Sequence, residues 1–374
     1  MFRELYDFLS SAKLALGLLI IILACCVAGV TLFRGERAWQ LIFSTAWFNA
    51  LLILLVVNVA FCFFPRMWGR KLTTVLFGMI LFHLSFVVIL LAIIFNSQFY
   101  FRGQIRLTEG EVLPSGDLMS YDSVNRGRYF SFNSLDGETK LIRMHRDYMV
   151  GNEDKRAAYE IEVGQKGARS HGIIYITKSL EHEGFSYFNS KEGYSLLLLL
   201  SNKEGRLLYG AHLPLQSQLV GENMYRYITG YVEKQVVKDS ATLFPAPPET
   251  PLFALEVEYM PAELKERSGD VEFALYRLSD EGRPDFGEKL ARGTVPIGVP
   301  LDVGDYLLTA QEVRYWVTMD VRHEPGKPIV LTFLWVSLGG MIITMAGRMM
   351  RGWPRVNSGQ LPVASRESGE DGVS

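Results

Sequence analysis

Leu76 to Phe95 reads LFGMILFHLSFVVILLAIIF. An α-helix needs about 20 consecutive apolar residues to cross the hydrocarbon core of a bilayer, and this run holds no Asp, Glu, Lys or Arg. It predicts a transmembrane helix with one ionisable side chain, His83, in its interior. Three further runs share the pattern: Leu14 to Leu32, Trp47 to Phe64 (WFNALLILLVVNVAFCFF) and, after a long interruption, Ile329 to Ala346. The chain of 374 residues is 49% hydrophobic, an ordinary average that hides this concentration into four spans.

Basic residues set the expected orientation. Arg66, Arg70 and Lys71 lie in the short link between the second and third runs with no acid beside them, and Arg348, Arg351 and Arg355 follow the fourth. The positive-inside rule puts both segments, and hence both termini, in the cytoplasm, with the region between spans three and four outside. Arg34 and Arg37 in the first outer loop oppose this, with Glu36 between them. A cleaved signal peptide is the competing reading of the first run, where Ile22-Leu23-Ala24-Cys25 resembles a lipoprotein cleavage box. The apolar core, longer than the roughly 7–15 residues of such signals, argues against it.

Beyond span three the pattern changes to two-residue alternation. Val313, Tyr315, Val317, Met319 and Val321 interleave with Arg314, Thr318, Asp320 and Arg322, which predicts a strand with one apolar face. Phe99 to Leu107, Gly172 to Thr177, Tyr194 to Leu200, Tyr225 to Val237, Leu252 to Tyr259 and Val271 to Tyr276 are further strand candidates. Turn-rich stretches such as Asn202 to Gly205 and Ser279 to Pro284 separate them. Phe244 to Pro251 (FPAPPETP) reads as either a rigid surface loop or a linker. The expected fold is thus a membrane protein: four transmembrane helices with a large extracytoplasmic β-rich domain inserted between helices 3 and 4. The boundaries are 1–95 for the three-helix region, 96–327 for the β-rich domain, 328–350 for the fourth helix and 351–374 for a disordered cytoplasmic tail.

Several function classes are excluded. A net charge of -2 gives no basic footprint for nucleic acid. The only cysteines, Cys25, Cys26 and Cys62, all lie in apolar runs, which rules out a disulfide framework, a CxxC redox motif, a CxxCH haem-attachment site and a cysteine zinc site. No GxSxG, Walker, HExxH or GxGxxG motif at a strand-helix turn occurs, so a hydrolase reading has no motif behind it.

His83 is the candidate that carries chemistry. It sits roughly 12–16 Å from the cytoplasmic boundary at about 1.5 Å per residue, where an ionisable group is costly and by default functional. A neutral imidazole there either ligates haem iron through one nitrogen or hydrogen-bonds to a neighbouring helix. Asn58, at similar depth in span two, either orients His83 or serves as interhelical glue. Asn58, Cys62 and Arg66 recur at one-turn spacing and form one stripe, with Cys62 read as a packing residue. Arg66, Arg70 and Lys71 either set topology or pair with propionate carboxylates. The outer histidines, His145, His171, His182, His212 and His323, show no metal-binding spacing and read as surface or packing residues.

The layout resembles the ResB (CcsB) family of system II cytochrome c biogenesis. The resemblance rests on Ser11-Ala12-Lys13-Leu14 opening the first span, and on Ser44 to Phe48 followed by Asn58, Cys62 and Arg66 in the second. His83-Leu84-Ser85 in the third span and Arg322-His323-Glu324-Pro325-Gly326 before the last complete it. Glu324 replaces the usual Asp, the basic aromatic segment after the last span is partly kept, and His212 to Leu215 match an outer-domain Asn-x-Pro-Leu pattern weakly. The match covers the four spans, about a quarter of the chain. It implies a non-catalytic or co-catalytic subunit of a complex in the cytoplasmic membrane that attaches haem to apocytochrome c outside. It further implies that His83 is an axial ligand of a transmembrane haem b shared with a tryptophan-rich ResC (CcsA) partner, with apocytochrome c and a thiol reductase as other partners. The partner's WGxWxWD loop is absent here. The alternative is a membrane-anchored β-domain scaffold or sensor in which His83 only packs.

Overall fold

A computed structural model describes residues 2–352 except 34, 68–70, 222–223, 234–235, 263–266 and 279–283. The tail expected over 351–374 lies, from residue 353 on, outside the described residues. The chain divides into two compact units, one of residues up to 97 together with those from 325 on, the other of 98–324.

The first unit is helical: α1 (Phe2–Leu9), α2 (Ala12–Ala28), α3 (Glu36–Ala38), α4 (Ala46–Met67), α5 (Thr74–Phe99) and α6 (Lys327–Gly352). Two π-helical turns, Gly29–Phe33 and Trp39–Phe43, flank α3. Four segments are long and apolar enough to cross a membrane: Ala12–Phe33, Ala46–Phe63, Thr74–Phe99 and Lys327–Met350. Each begins before its apolar run in the sequence, and α5 also continues beyond Phe95 through Asn96, Ser97 and Gln98, because i→i−4 bonding carries a helix through polar flanks. A strand had been expected to open at Phe99; instead α5 runs through that residue and the strand starts at Phe101.

Large apolar side chains point outward from this unit, Leu23 being 64% exposed and Trp335 73%. Such a surface is stable against lipid and a liability in water. Inside, Leu18, Ile42, Phe48, Leu52, Leu55 and Leu90 form one cluster joining α2, α4 and α5. Helix α6 lies on α5 at near backbone contact. A Cβ on Gly78 would sit 2.6 Å from the Thr344 nitrogen, and one on Gly340 would sit 2.8 Å from the Phe82 nitrogen. Gly326, Gly340 and Gly347 recur at multiples of seven and present one glycine face to α5, the small-residue packing that draws helices together without a hydrophobic drive. At the far end Ser97 donates its hydroxyl to Asn49 Oδ1 at 2.9 Å, tying α5 to α4.

The second unit is β-rich and antiparallel. Its largest sheet runs Leu207–Pro214, Phe185–Asn202, Tyr306–His323, Phe101–Thr108, Tyr121–Arg126, with two short strands at the sides. Two long strands, Phe185–Asn202 and Tyr306–His323, pair along their whole length. A second sheet carries Gln216–Gly221, Met224–Ile228, Phe253–Pro261, Gly269–Leu278 and Pro284–Pro296, and a third Val112–Pro114, Glu138–Arg146, Ala157–Gln165 and Ala168–Ile174. One apolar cluster threads all three, through Phe101, Leu141, Ile161, Leu198, Val257 and Phe273 among others.

Alternation holds in Phe101–Thr108, but Tyr315 to Met319 are buried on both faces. Trp316 and Thr318 point away from the apolar face and are nonetheless covered, so the strand is central and two-sided. The segment Tyr225 to Val237, read as one strand, is three: Met224–Ile228, Gly230–Glu233 and Val236–Asp239. Gly230 marks the break, where a Cβ would lie 2.3 Å from the Lys238 carbonyl oxygen. The proline-rich stretch is a loop, not a linker: Phe244 and Phe253 at its ends pair across one sheet.

Candidate functional site

His83 lines a cavity of about 800 Å³ in the helical unit, walled by residues of α2, α4 and α5. Its imidazole is held on two sides. Nδ1 is 2.9 Å from the Met79 carbonyl oxygen one turn back. A carbonyl only accepts, so Nδ1 carries the proton and donates, leaving the lone pair on Nε2. No described residue hydrogen-bonds to Nε2. The ring lies flat on Phe63 of α4, centroids 3.6 Å apart and planes 11° from parallel, and Phe82 meets it edge-on at 5.2 Å. Stacking on Phe63 covers one face of the ring, and an imidazole ligates in its plane, not through its faces.

Asn58 is fully buried and lines the same cavity. Its amide nitrogen donates to the Leu9 carbonyl at 2.6 Å and the Ser11 carbonyl at 3.1 Å, stitching the α1–α2 corner to α4. Its Oδ1 is buried with no hydrogen-bond partner among the described residues. The group that orients His83 is therefore the Met79 carbonyl, which the sequence reading did not single out, and Asn58 acts as glue between helices. Cys62, half-buried, and Lys71, exposed, also line the cavity. Arg70 and the side chain of Arg66 lie outside the described residues, as do Arg355 and the side chain of Arg351. Thr73 caps α5 by accepting from the Leu76 nitrogen at 3.3 Å.

Outside this unit, His145 and His171 donate from Nε2 to the two oxygens of Glu160, at 3.1 and 2.9 Å. Burial alone would raise the Glu160 carboxyl, but the two histidine bonds and their charge hold it below its ordinary value. His182 Nδ1 lies 2.9 Å from the Ser170 hydroxyl. His323 donates from Nδ1 to the Gly184 carbonyl at 2.9 Å and stacks on Phe185. Burial, aided by Arg314, pushes the His212 pKa down. Among the described residues no group of three or more His, Cys, Asp or Glu could hold a metal ion, so any metal at His83 must draw its other ligands from elsewhere.

The chain matches no protein-family model and no curated protein. What remains is the site: one imidazole whose Nδ1 is engaged by a backbone carbonyl, in a mostly apolar cavity of the helical unit with Lys71 at its wall.

Proposed function

We propose that the protein is a haem-handling subunit of a cytochrome c synthase complex of the ResB (CcsB) kind, with His83 as one axial ligand of a transmembrane haem b. The observation that carries this reading is the Nδ1 contact of His83: the Met79 carbonyl accepts a hydrogen bond from Nδ1–H, and in the neutral imidazole Nε2 is left with the lone pair that ligates. Ligand cavities run roughly 300–1,000 Å³ and are mostly apolar with a few placed polar groups. The cavity of about 800 Å³ around His83 has that character.

Haem supplies an iron with open axial positions and two propionate carboxylates. Several residues of the cavity have a task toward that cargo. Met79 orients the imidazole and raises its basicity, as an outer partner does for a metal-bound histidine. Phe63 fixes the ring plane. Lys71 offers a cation for a propionate. Leu19, Leu55, Val59 and Phe86 exclude water. The second axial ligand comes from a tryptophan-rich ResC (CcsA) partner, so binding is conditional on assembly. The β-rich unit faces the extracytoplasmic side in this arrangement and receives apocytochrome c, with both termini in the cytoplasm.

Partial chemical rescue tests the assignment. His83→Gly in the complex loses haem, and free imidazole restores part of the Soret absorbance and of cytochrome c maturation. Full haem retention by His83→Gly would leave the chain a scaffold whose histidine only packs.

A further inference from the structure

The β-rich unit holds a second cavity, of about 710 Å³, that the haem reading does not use. Its walls bring together three cations, Arg146, Arg156 and Lys191, against one carboxylate, Glu192. That carboxylate is already engaged, by the Tyr159 hydroxyl and by Arg146 at 3.7 Å. Arg156 and Lys191 are exposed and make no ion pair with a described residue. Arg146 is held over the Tyr315 ring at 5.0 Å, with its side chain 28% exposed.

Three aromatic residues, Tyr225, Tyr227 and Trp316, share the remaining walls with small and polar ones such as Ala157, Ser190, Gln216 and Ser217. Trp316 forms the floor, its indole N–H donating to the Leu215 carbonyl at 3.0 Å. Gly193 makes room for that ring, since a Cβ there would lie 2.7 Å from the indole nitrogen. Tyr227 is buried behind, and Tyr225 is half exposed at the mouth. The long strand Phe185–Asn202 slips register between Asn189 and Lys191, leaving Ser190 unpaired at the cavity wall. Bulges of this kind re-aim side chains next to binding sites.

We propose that this cavity binds a flat aromatic carboxylate, its charge taken by Arg146, Arg156 and Lys191 and its ring by Tyr225 at the mouth. Arginine suits this ligand twice over, because its planar fork pairs with a carboxylate and its face stacks on an aromatic ring. The site is independent of His83.

The test is calorimetric titration of the full-length protein in nanodiscs with naphthalene-2,6-dicarboxylate, with adipate as a dianion that lacks the ring. Wild type binds the aromatic dianion saturably, and adipate binds at least about tenfold more weakly. Arg156→Gln combined with Lys191→Gln removes two exposed cations whose side chains make no ion pair with a described residue, and weakens the aromatic dianion by roughly tenfold or more. Tyr225→Ala also weakens it, and His83→Ala leaves it unchanged. No saturable binding in wild type overturns the proposal. So does adipate binding as tightly as the aromatic, affinity unmoved in the double variant, or loss of binding in His83→Ala, which would place the ligand in the membrane cavity.

Discussion

The imidazole of His83 lies parallel to the ring of Phe63, centroids 3.6 Å apart and planes 11° from coplanar. One residue belongs to α5 and the other to α4, so the plane of the proposed ligand is set by the helix beside it. Aromatic pairs of this kind contribute about 0.5–1.5 kcal/mol. Phe63→Ala should therefore weaken haem binding by the complex by roughly three- to tenfold, while Phe63→Tyr, which keeps the stack, should not. Haem titration followed at the Soret band separates the two, and equal affinity in Phe63→Ala and wild type would remove the stack from the account.

Asn58 is expected to act on stability and not on haem. Removing its amide leaves the Leu9 carbonyl without its Asn58 donor, whereas the Ser11 carbonyl still accepts from the Ala15 nitrogen at 3.3 Å; a lost donor to a polar group screened from water costs about 1–3 kcal/mol. Asn58→Ala should lower the thermal midpoint of the purified protein, and Asn58→Asp should lower it further by burying a charge. The haem spectrum of whatever remains folded should be unchanged.

Adjacent glycines of α6 predict opposite outcomes. Gly340 meets α5 at backbone distance, whereas a Cβ on Gly339 would meet nothing within 4 Å. Gly340→Ala should destabilise by about 1–3 kcal/mol through overpacking. Gly339→Ala should be neutral or slightly stabilising, since alanine is the better helix former by roughly 1 kcal/mol. Thermal unfolding of both variants in the same detergent provides the comparison.

In the β-rich unit Arg226 donates Nε to Glu258 Oε1 at 2.9 Å and Nη2 to Oε2 at 2.6 Å. These bonds hold the Glu258 carboxyl below its ordinary value, against the upward pull of burial. The folded pKa is thus lower than the unfolded one. The pair's contribution is complete above the ordinary carboxylate pKa and is lost as pH falls through the lower folded value. The gap in thermal midpoint between wild type and Arg226→Gln should therefore be open at about pH 7 and narrow below about pH 4. A gap that stays constant across that range would mean that packing, not charge, separates the variants.

Much of this was legible in the sequence, for identifiable reasons. The four spans and His83 stand out because an unbroken apolar run, and one ionisable group within it, are local properties. Strand Glu138–Arg146 escaped notice because charged residues line one face and a bulge between Leu141 and Arg143 breaks its two-residue period. The partners of His83 were equally hidden. Met79 contributes only a backbone carbonyl, and Phe63 is one aromatic among many until α4 and α5 meet. His145 and His171 converge on Glu160 only because strand pairing brings their three strands side by side. Distances along the chain carry no trace of that.

The most direct test is the visible spectrum of this protein purified with its tryptophan-rich partner, wild type beside His83→Ala. The account predicts a Soret band in wild type that collapses in the variant while the two proteins still co-purify. An unchanged band in His83→Ala would contradict it and assign haem ligation wholly to the partner.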